Sequence, residues 1–342
     1  MREISIQKNE AGQRMDKFLA KYLNKAPKSF FYKMMRKKNI TLNGKKAVGN
    51  EQLKQGDVIK LFLAEETIEN FIDHSQFSKK KASSAKKQTA GKKVQLDILY
   101  EDEAAVFINK PVGMLSQKAS PTDTSLVEYF IDYLLENGKI TEEELHTFHP
   151  SVCNRLDRNT SGIVAAGKTL QALQGLSKMF RDRTLKKYYL CLVKGQVKEN
   201  QRIHGYLVKN EKTNKVTVSQ KKPAEQTKDG KEASAIDTEY KVLAQNKKTT
   251  LLEVHLITGK THQIRAHLAS IGHPIAGDYK YGNRSFNDAL KKEYGLRSQL
   301  LHAYRLEFPE NCEGDIKQLS GKIIKAPVPA LFEQICKAQG VM

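Results

Sequence analysis

A lysine-rich run divides this chain of 342 residues into two unequal parts. Residues 79–93 carry seven lysines and no acidic residue, and most of the other positions are Ala, Ser, Gln, Thr or Gly. Such a segment cannot bury enough apolar surface to fold alone, and an irregular stretch of this length is uncommon inside a compact domain. We therefore predict a flexible Lys-rich linker over residues 64–93, between a small unit at 1–63 and a large unit at 94–342.

The positive charge is concentrated in the first quarter of the chain. The net charge is +20, and residues 1–93 hold 22 Lys and Arg against 9 Asp and Glu, so this part alone contributes +13. Charge of this kind bears on partners rather than on fold, and it suits the phosphates of a nucleic acid. A membrane surface would attract the same charge, but the sequence has no apolar run of about 18 residues and no lipidation motif. Nucleic acid is therefore the predicted partner.

The small unit combines short helical patterns with short strands. Apolar residues at helical spacing predict helices over residues 14–24 and 28–36, and strands are predicted at 40–42 and 58–63. Five basic residues of this unit are the predicted phosphate contacts. They are Arg14, Lys28, Lys33, Arg36 and Lys37. The alternative is a small basic domain whose lysines are only solvated.

The cysteines and the N-terminus indicate where the protein resides. The four cysteines stand far apart, at positions 153, 191, 312 and 336, and no Cys-x-x-Cys pair occurs. This spacing argues against a zinc site and a disulfide framework, and it fits a reducing compartment. The N-terminus has no apolar signal core. We expect a cytoplasmic protein without a metal site.

The sequence patterns of the large unit predict strands and turns with occasional helices. Helical patterns occur at 125–137, 170–181 and 262–271. Strand patterns occur at 96–100, 105–109, 163–166, 189–194, 238–243 and 251–257. This order predicts an α+β domain with a mixed, largely antiparallel sheet. The dinucleotide fingerprint and the phosphate-loop motif are both absent from the sequence, which argues against a doubly wound nucleotide-binding fold.

Residues 154–162, Asn-Arg-Leu-Asp-Arg-Asn-Thr-Ser-Gly, crowd charge and turn residues into a short run. One carboxylate, Asp157, lies between two arginines, and the apolar run 163–166 that follows predicts a buried strand. The pattern therefore predicts that Asp157 lies at the mouth of a core element, on a loop suited to function. The alternative is a structural loop whose Asp caps a turn.

Four ordered motifs of the large unit resemble those of the RluA-type pseudouridine synthases. They lie at residues 109–113, 154–162, 187–195 and 258–265. Two positions depart from the usual pattern, because Asn154 replaces a His and Lys260 replaces an Arg. The resemblance is nearest to the RluC-like branch, on segments 272–276, 278–282 and 300–303.

The resemblance implies a pseudouridine synthase fold with an N-terminal S4-like RNA-binding domain. The enzyme would isomerise specific uridines of large-subunit (23S) ribosomal RNA, with Asp157 as nucleophile or base. Arg265 would lie opposite Asp157 as a buried cation that favours the ionised carboxylate, and Tyr189 would stack on the uracil. Since the reaction conserves every atom of the nucleotide, no cofactor is expected.

The resemblance also implies that the target uracil must be unstacked from the RNA before it can react. A uracil stacked in folded RNA has to leave the helix to meet Asp157, and Arg155 and Arg158 are predicted to bind the RNA there. The RNA partner would be naked ribosomal RNA or the assembling large subunit, with no obligate protein partner evident. A non-catalytic RNA-binding ribosome-assembly factor that retains the fold is the alternative, favoured by Asn154 and Lys260. A hydrolytic glycosidase ranks last, because it would call for two acid/base carboxylates.

Overall fold

The computed structural model describes residues 1–73, 94–142, 144–210, 213, 215–222 and 233–342. Most of the predicted linker, residues 74–93, lies outside this part of the chain. Within the described residues, no helix combines the length and the apolar character that crossing a membrane requires.

The N-terminal unit is a four-stranded antiparallel sheet with short helices packed on it. The strands are β1 (Arg2–Ser5), β2 (Ile40–Leu42), β3 (Lys45–Lys46) and β4 (Val58–Leu61), paired in the order β1-β4-β2-β3. The helices are α1 (Met15–Tyr22), α2 (Lys28–Arg36) and α3 (Glu65–Asn70). Apolar residues of α1 and α2, such as Phe18 and Phe31, are buried against the strand residue Ile59. The two predicted helices and the predicted strands therefore build one core.

Helix α3 corrects the predicted boundary at residue 63. It lies in the segment predicted as linker, yet Ile68 and Ile72 are buried in the same core as Phe18. The amide of Lys25 also donates to the carbonyl of Phe71. Two apolar side chains among the acids of this segment are enough to anchor it. The described N-terminal unit therefore runs to residue 73.

The large unit is built on an eleven-stranded sheet. Its strands are β5 (Ile98–Glu101), β6 (Ala105–Lys110), β7 (Ser151–Val152), β8 (Ser161–Gly167), β9 (Lys186–Lys194), β10 (Gln201–Asn210), β11 (Lys215–Ser219), β12 (Ser234–Gln245), β13 (Thr249–Leu256), β14 (Leu301–Glu307) and β15 (Ile323–Lys325). The main path runs β11-β10-β12-β13-β9-β14-β8-β6-β5, with β7 on β8 and β15 on β14. Within the described residues only β14 and β8 pair in parallel. The predicted mixed, largely antiparallel sheet is confirmed.

Helices cover both faces of this sheet. They are α4 (Leu126–Glu136), α5 (Leu170–Asp182), α6 (Gln263–Ser270), α7 (Arg284–Tyr294) and α8 (Ala330–Ala338), with 3₁₀ turns at Glu144–His146 and Gly314–Leu319. Residues of β9 alternate between two cores: Tyr189 and Cys191 pack on the side of α6, and Leu190 and Leu192 on the side of α7 and α8. Tyr189 is thereby directed toward the helix that carries Arg265.

The parallel pairing of β8 and β14 brings the motif at residues 154–162 level with the motif at residues 187–195 in the sheet. Ala303 of β14 is in register with Gly162 of β8 on one side and with Tyr189 of β9 on the other. Gly162 has φ +114°, and a β-carbon there would lie 2.2 Å from the Ala303 carbonyl oxygen. Only glycine allows strands β8 and β14 to approach this closely. The Thr-Ser-Gly end of the motif thus serves to place Asp157 beside Tyr189.

Candidate active site

Asp157 lies in the loop between β7 and β8, and the backbone around it is pinned on both sides. Ser116 Oγ accepts the amide of Leu156 and donates to the Leu156 carbonyl, both at 3.0 Å. Asn154 Oδ1 accepts the amide of Ala165 at 2.8 Å, and its Nδ2 donates to the carbonyl of Ile163 at 3.2 Å. Asn154, which replaces the usual His, therefore ties the loop to β8 rather than touching the carboxylate. The Asp157 side chain remains about one quarter exposed, at 26%.

A buried lysine holds the far side of the same loop. Lys110, at the end of β6, is fully buried, and its Nζ donates to the carbonyls of Pro111 (2.9 Å), Met114 (2.8 Å) and Arg158 (3.2 Å). Burial lowers the pKa of Lys110 to about 8, while the Asp157 carboxylate acts in the opposite direction. Lys110 thus links the first motif to the Asp157 loop through backbone carbonyls.

Arg265 reaches two carboxylates with three of its nitrogens. Its Nη1 donates to Asp157 Oδ2 at 2.8 Å, while Nε and Nη2 donate to Asp278 Oδ2 and Oδ1 at 2.7 and 3.0 Å. Burial lowers the pKa of Arg265, but the hydrogen bonds and charges of the two carboxylates outweigh burial and raise it above its usual value. The guanidinium is therefore a permanent cation that holds Asp157 in place.

Asp278 is a residue that the sequence analysis missed. Its side chain is only 1% exposed, and besides Arg265 it accepts the amides of Lys280 and Tyr281 at 2.9 and 3.1 Å. Burial would raise the pKa of Asp278, but the hydrogen bonds from Arg265 prevail and lower it. Asp278 was noted only as part of the segment 278–282, since nothing in its spacing shows that it faces Arg265.

Tyr189 forms an aromatic wall close to Asp157. The residue is 7% exposed, and burial raises the pKa of its phenol, with the Asp157 carboxylate adding to the rise. Its phenol therefore stays protonated at neutral pH. The structure thus brings Asp157, Arg265 and Tyr189 together, from three separate motifs.

His262 presents a further group to Asp157. Its Nε2 lies 3.9 Å from Asp157 Oδ2, and its Nδ1 lies 2.9 Å from the Tyr281 hydroxyl. That hydroxyl also accepts the amide of Val216 at 2.9 Å, and its own proton is available to donate to Nδ1. Burial lowers the pKa of His262, although Asp157 opposes the shift. A neutral imidazole with its proton on Nε2, directed toward Asp157, fits these contacts.

The predicted RNA contacts lie on the surface in two groups. Arg155 and Arg158 are exposed on either side of Asp157, and Arg158 Nε donates to the Gly113 carbonyl at 3.2 Å. The second group consists of the exposed basic residues Lys28, Lys33, Arg36 and Lys37 on and after α2. Arg14 is also exposed, but its Nε and Nη2 both bind Asp16 at 3.0 Å. Arg14 therefore differs from the others, since its charge is already paired.

The described residues hold no group of three or more His, Cys, Asp or Glu side chains able to bind a metal ion. All four cysteines are free thiols. The groups gathered at Asp157 are a carboxylate, a guanidinium, a phenol and an imidazole.

Known proteins resemble this chain in sequence and in fold. A family model described as RNA pseudouridylate synthase matches residues 104–270. A ribosomal large subunit pseudouridine synthase C from Vibrio parahaemolyticus is 34% identical over 97% of this chain and 94% of its own length, and one from Salmonella typhi is 31% identical over 94% and 93%. The solved structure of human RNA pseudouridylate synthase domain containing 4 aligns with a TM-score of 0.57 at 22% identity, covering 78% of this chain and 98% of the human one.

The sequence relatives match along nearly the whole chain, and the human structure supports the same fold. The matched family region contains Asp157, Tyr189 and Arg265. This chain therefore belongs to the RNA pseudouridine synthases, the isomerase family that its four motifs indicated.

Proposed function

We propose that this enzyme converts specific uridines of large-subunit (23S) ribosomal RNA to pseudouridine, with Asp157 as the reacting carboxylate. The observation that carries the proposal is the 2.8 Å pair between Asp157 and Arg265 at the mouth of β8. The substrate is assigned because the relatives that match almost the whole chain are called large-subunit pseudouridine synthases. Arg265 holds the Asp157 carboxylate in one orientation.

The reaction breaks the bond between N1 of uracil and C1′ of the ribose and forms a bond from C5 to C1′. The C5 proton is lost and N1 regains one, so the nucleotide keeps its composition. An ionised carboxylate serves as nucleophile or base beside the sugar, and Asp157 has the exposure for this contact. The resemblance also made Tyr189 a plausible base for removing the C5 proton in the last step. Because the raised pKa of Tyr189 keeps its phenol protonated, we propose instead that Tyr189 stacks on the uracil and that Asp157 accepts the C5 proton.

Hydrolysis of the glycosidic bond is disfavoured by the environment of Asp278. A glycosidase uses two carboxyl groups, one of them a general acid with a raised pKa. Asp278 is the second carboxylate near the site, but it is almost fully buried and bound by two nitrogens of Arg265. Its pKa is lowered, which is the wrong direction for an acid. The site therefore offers one carboxylate to the substrate.

The non-catalytic alternative depended on two replacements, and neither disturbs the reacting groups. Asn154 bonds to the backbone of β8. Lys260 is exposed, and its amide donates to Gln263 Oε1 at 3.1 Å. Both positions leave the pair of Asp157 and Arg265 intact. An assembly factor would have no need for a cation held between two carboxylates.

Pseudouridine mapping in ribosomal RNA tests the proposal directly. Cells that lack this protein should lose one or more pseudouridines of the large-subunit RNA, and the wild-type gene should restore them. The gene carrying Asp157→Asn should not. An unchanged set of large-subunit pseudouridines, or a loss confined to another RNA, would refute the proposed substrate.

The basic residues on and after α2 should control RNA affinity rather than the rate of the reaction. If each of them neutralises one phosphate, each contributes about 0.7–0.9 to the slope of log K against log salt concentration. Changing Lys28, Lys33, Arg36 and Lys37 together to Gln should therefore reduce that slope by about 3. The measurement is RNA binding over a series of KCl concentrations. The matched control removes four exposed lysines of the large unit, Lys291, Lys292, Lys317 and Lys337. Equal slopes for the two variants would show that α2 is not the RNA-binding surface.

Lys110 should act on turnover through the loop that it anchors. Lys110→Met removes three hydrogen bonds to carbonyls around Asp157, and a misplacement on the order of 1 Å can cost about a hundredfold in rate. We expect kcat to fall by up to about a hundredfold with little change in RNA affinity. Lys168→Met is the control, because Lys168 is also buried but binds Glu101, beyond the opposite end of β8. The same drop in kcat for both variants would contradict the specific role of Lys110.

A further inference from the structure

Lys187 is a buried lysine on the same strand as Tyr189. It precedes Tyr189 by two residues on β9, and alternation along a strand places the two side chains on the same face. Lys187 is 7% exposed, whereas its neighbour Lys186 is exposed. A lysine is rarely buried unless its charge is compensated.

The three buried lysines of the described residues differ in their partners. They are Lys110, Lys168 and Lys187. Lys110 donates to three carbonyls, and Lys168 donates to Glu101 at 2.8 Å. Across residues 1–73, 94–142, 144–210, 213, 215–222 and 233–342, Lys187 Nζ has neither a hydrogen bond nor an ion pair. The Nζ atom is also absent from the fully enclosed polar atoms that lack a partner, so it retains contact with solvent.

The charge of Lys187 is opposed by its surroundings. Burial, together with the nearby cation Arg183, lowers its pKa to about 8. With a pKa near 8 the side chain is still mostly protonated at neutral pH. Burying a charge without a partner is costly, so a lysine retained in this state indicates an anion that comes from outside the protein.

The position of Lys187 relates that anion to the active site. Two residues along a strand span about 7 Å, so the backbone positions of Lys187 and Tyr189 are separated by roughly the length of one nucleotide. On its other side is Gly259, where a β-carbon would lie 3.8 Å from Nζ. Gly259 belongs to the loop that leads into α6, the helix that carries Arg265. The ammonium therefore lies next to this loop, on the face of β9 that also carries Tyr189.

We propose that Lys187 binds a backbone phosphate of the RNA, next to the nucleotide held against Tyr189. The inference rests on the proposed function for the presence of RNA at Tyr189. A phosphate oxygen supplies a full negative charge, which an uncompensated ammonium requires and a uracil carbonyl does not provide. Lys187 is then a substrate-binding residue that acts on affinity, and the chemistry is left to Asp157.

Replacing Lys187 by Met tests this inference in the full-length protein. Binding of transcribed large-subunit ribosomal RNA should weaken, and its salt slope should fall by about 0.7–0.9, the value for one phosphate contact. In turnover the KM should rise about tenfold with kcat nearly unchanged. The thermal unfolding temperature should stay equal or rise, because the variant removes an uncompensated buried charge.

Lys186→Met is the matched control, since it removes the same charge one residue away from an exposed position. It should leave KM, the salt slope and the unfolding temperature unchanged. An unchanged salt slope in Lys187→Met, or the same change in both variants, would overturn the inference. A clear loss of stability in Lys187→Met would overturn it too, because the protein itself would then compensate the charge. Failure of the proposed function is seen separately, as the absence of pseudouridine in RNA treated with the wild-type enzyme.

Discussion

Asp157→Asn should reduce pseudouridine formation by about 10³–10⁴-fold, the upper range of what a positioned acid, base or nucleophile contributes. The amide has the shape of the carboxylate, and its oxygen can still accept the hydrogen bond that Arg265 Nη1 donates at 2.8 Å. It has neither the charge to attack the sugar nor the basicity to accept the C5 proton. RNA affinity should stay equal or increase, because one negative charge leaves a site that binds phosphates. Product quantified by mass spectrometry of digested ribosomal RNA, beside a binding isotherm, separates the two effects.

Asp288→Asn is the control for the loss of one carboxylate. Asp288 lies on α7, where its side chain is 54% exposed and accepts a hydrogen bond from Tyr279. This variant should retain wild-type turnover. If Asp157→Asn forms pseudouridine at the wild-type rate, the carboxylate is not the reacting group, and the proposed mechanism fails.

Local patterns predicted the elements that carry a regular apolar face or a continuous apolar run. The helices α1, α2, α4 and α5 have an apolar stripe at helical spacing, the strands β6, β8 and β9 are mostly buried apolar runs, and each lies where the pattern placed it. Strands β10 and β14 and helix α7 were not predicted. Helix α7 buries only Asn287 and Leu290, so it presents little apolar stripe. The position of β14 between β8 and β9 depends on tertiary pairing, which no local pattern reports.

The candidate active site could likewise be predicted only in part from the sequence. The motifs located Asp157, Tyr189 and Arg265, because each motif carries its residue in a fixed local context. The partners that hold them were not visible in the sequence: Asp278 becomes the second carboxylate of Arg265 only after the chain has passed α6 and turned back. The three carbonyls that Lys110 binds lie on two loops that only folding brings together. Sequence reasoning therefore located the three proposed site residues but missed much of what holds them in place.

Arg265→Met should affect both stability and turnover, since Arg265 serves two carboxylates. Without the guanidinium, Asp278 would be buried at 1% exposure with the backbone amides of Lys280 and Tyr281 as donors but without its cation. Removing one partner of a buried ion pair costs about 3–5 kcal/mol. Asp157 would also lose its cation, so we expect turnover to fall at least about a hundredfold while RNA affinity changes far less. Denaturant unfolding and single-turnover kinetics measure the two losses.

The double variant Arg265→Met/Asp278→Asn separates these two roles. An amide at position 278 can still accept the two backbone hydrogen bonds but carries no charge, so much of the lost stability should return. Turnover should remain low, because Asp157 still lacks its partner. Recovery of turnover together with stability would mean that Arg265 serves only to hold Asp278, and that Asp157 reacts without an adjacent cation. If stability returns and turnover does not, the contact of 2.8 Å between Arg265 and Asp157 is required for the reaction itself.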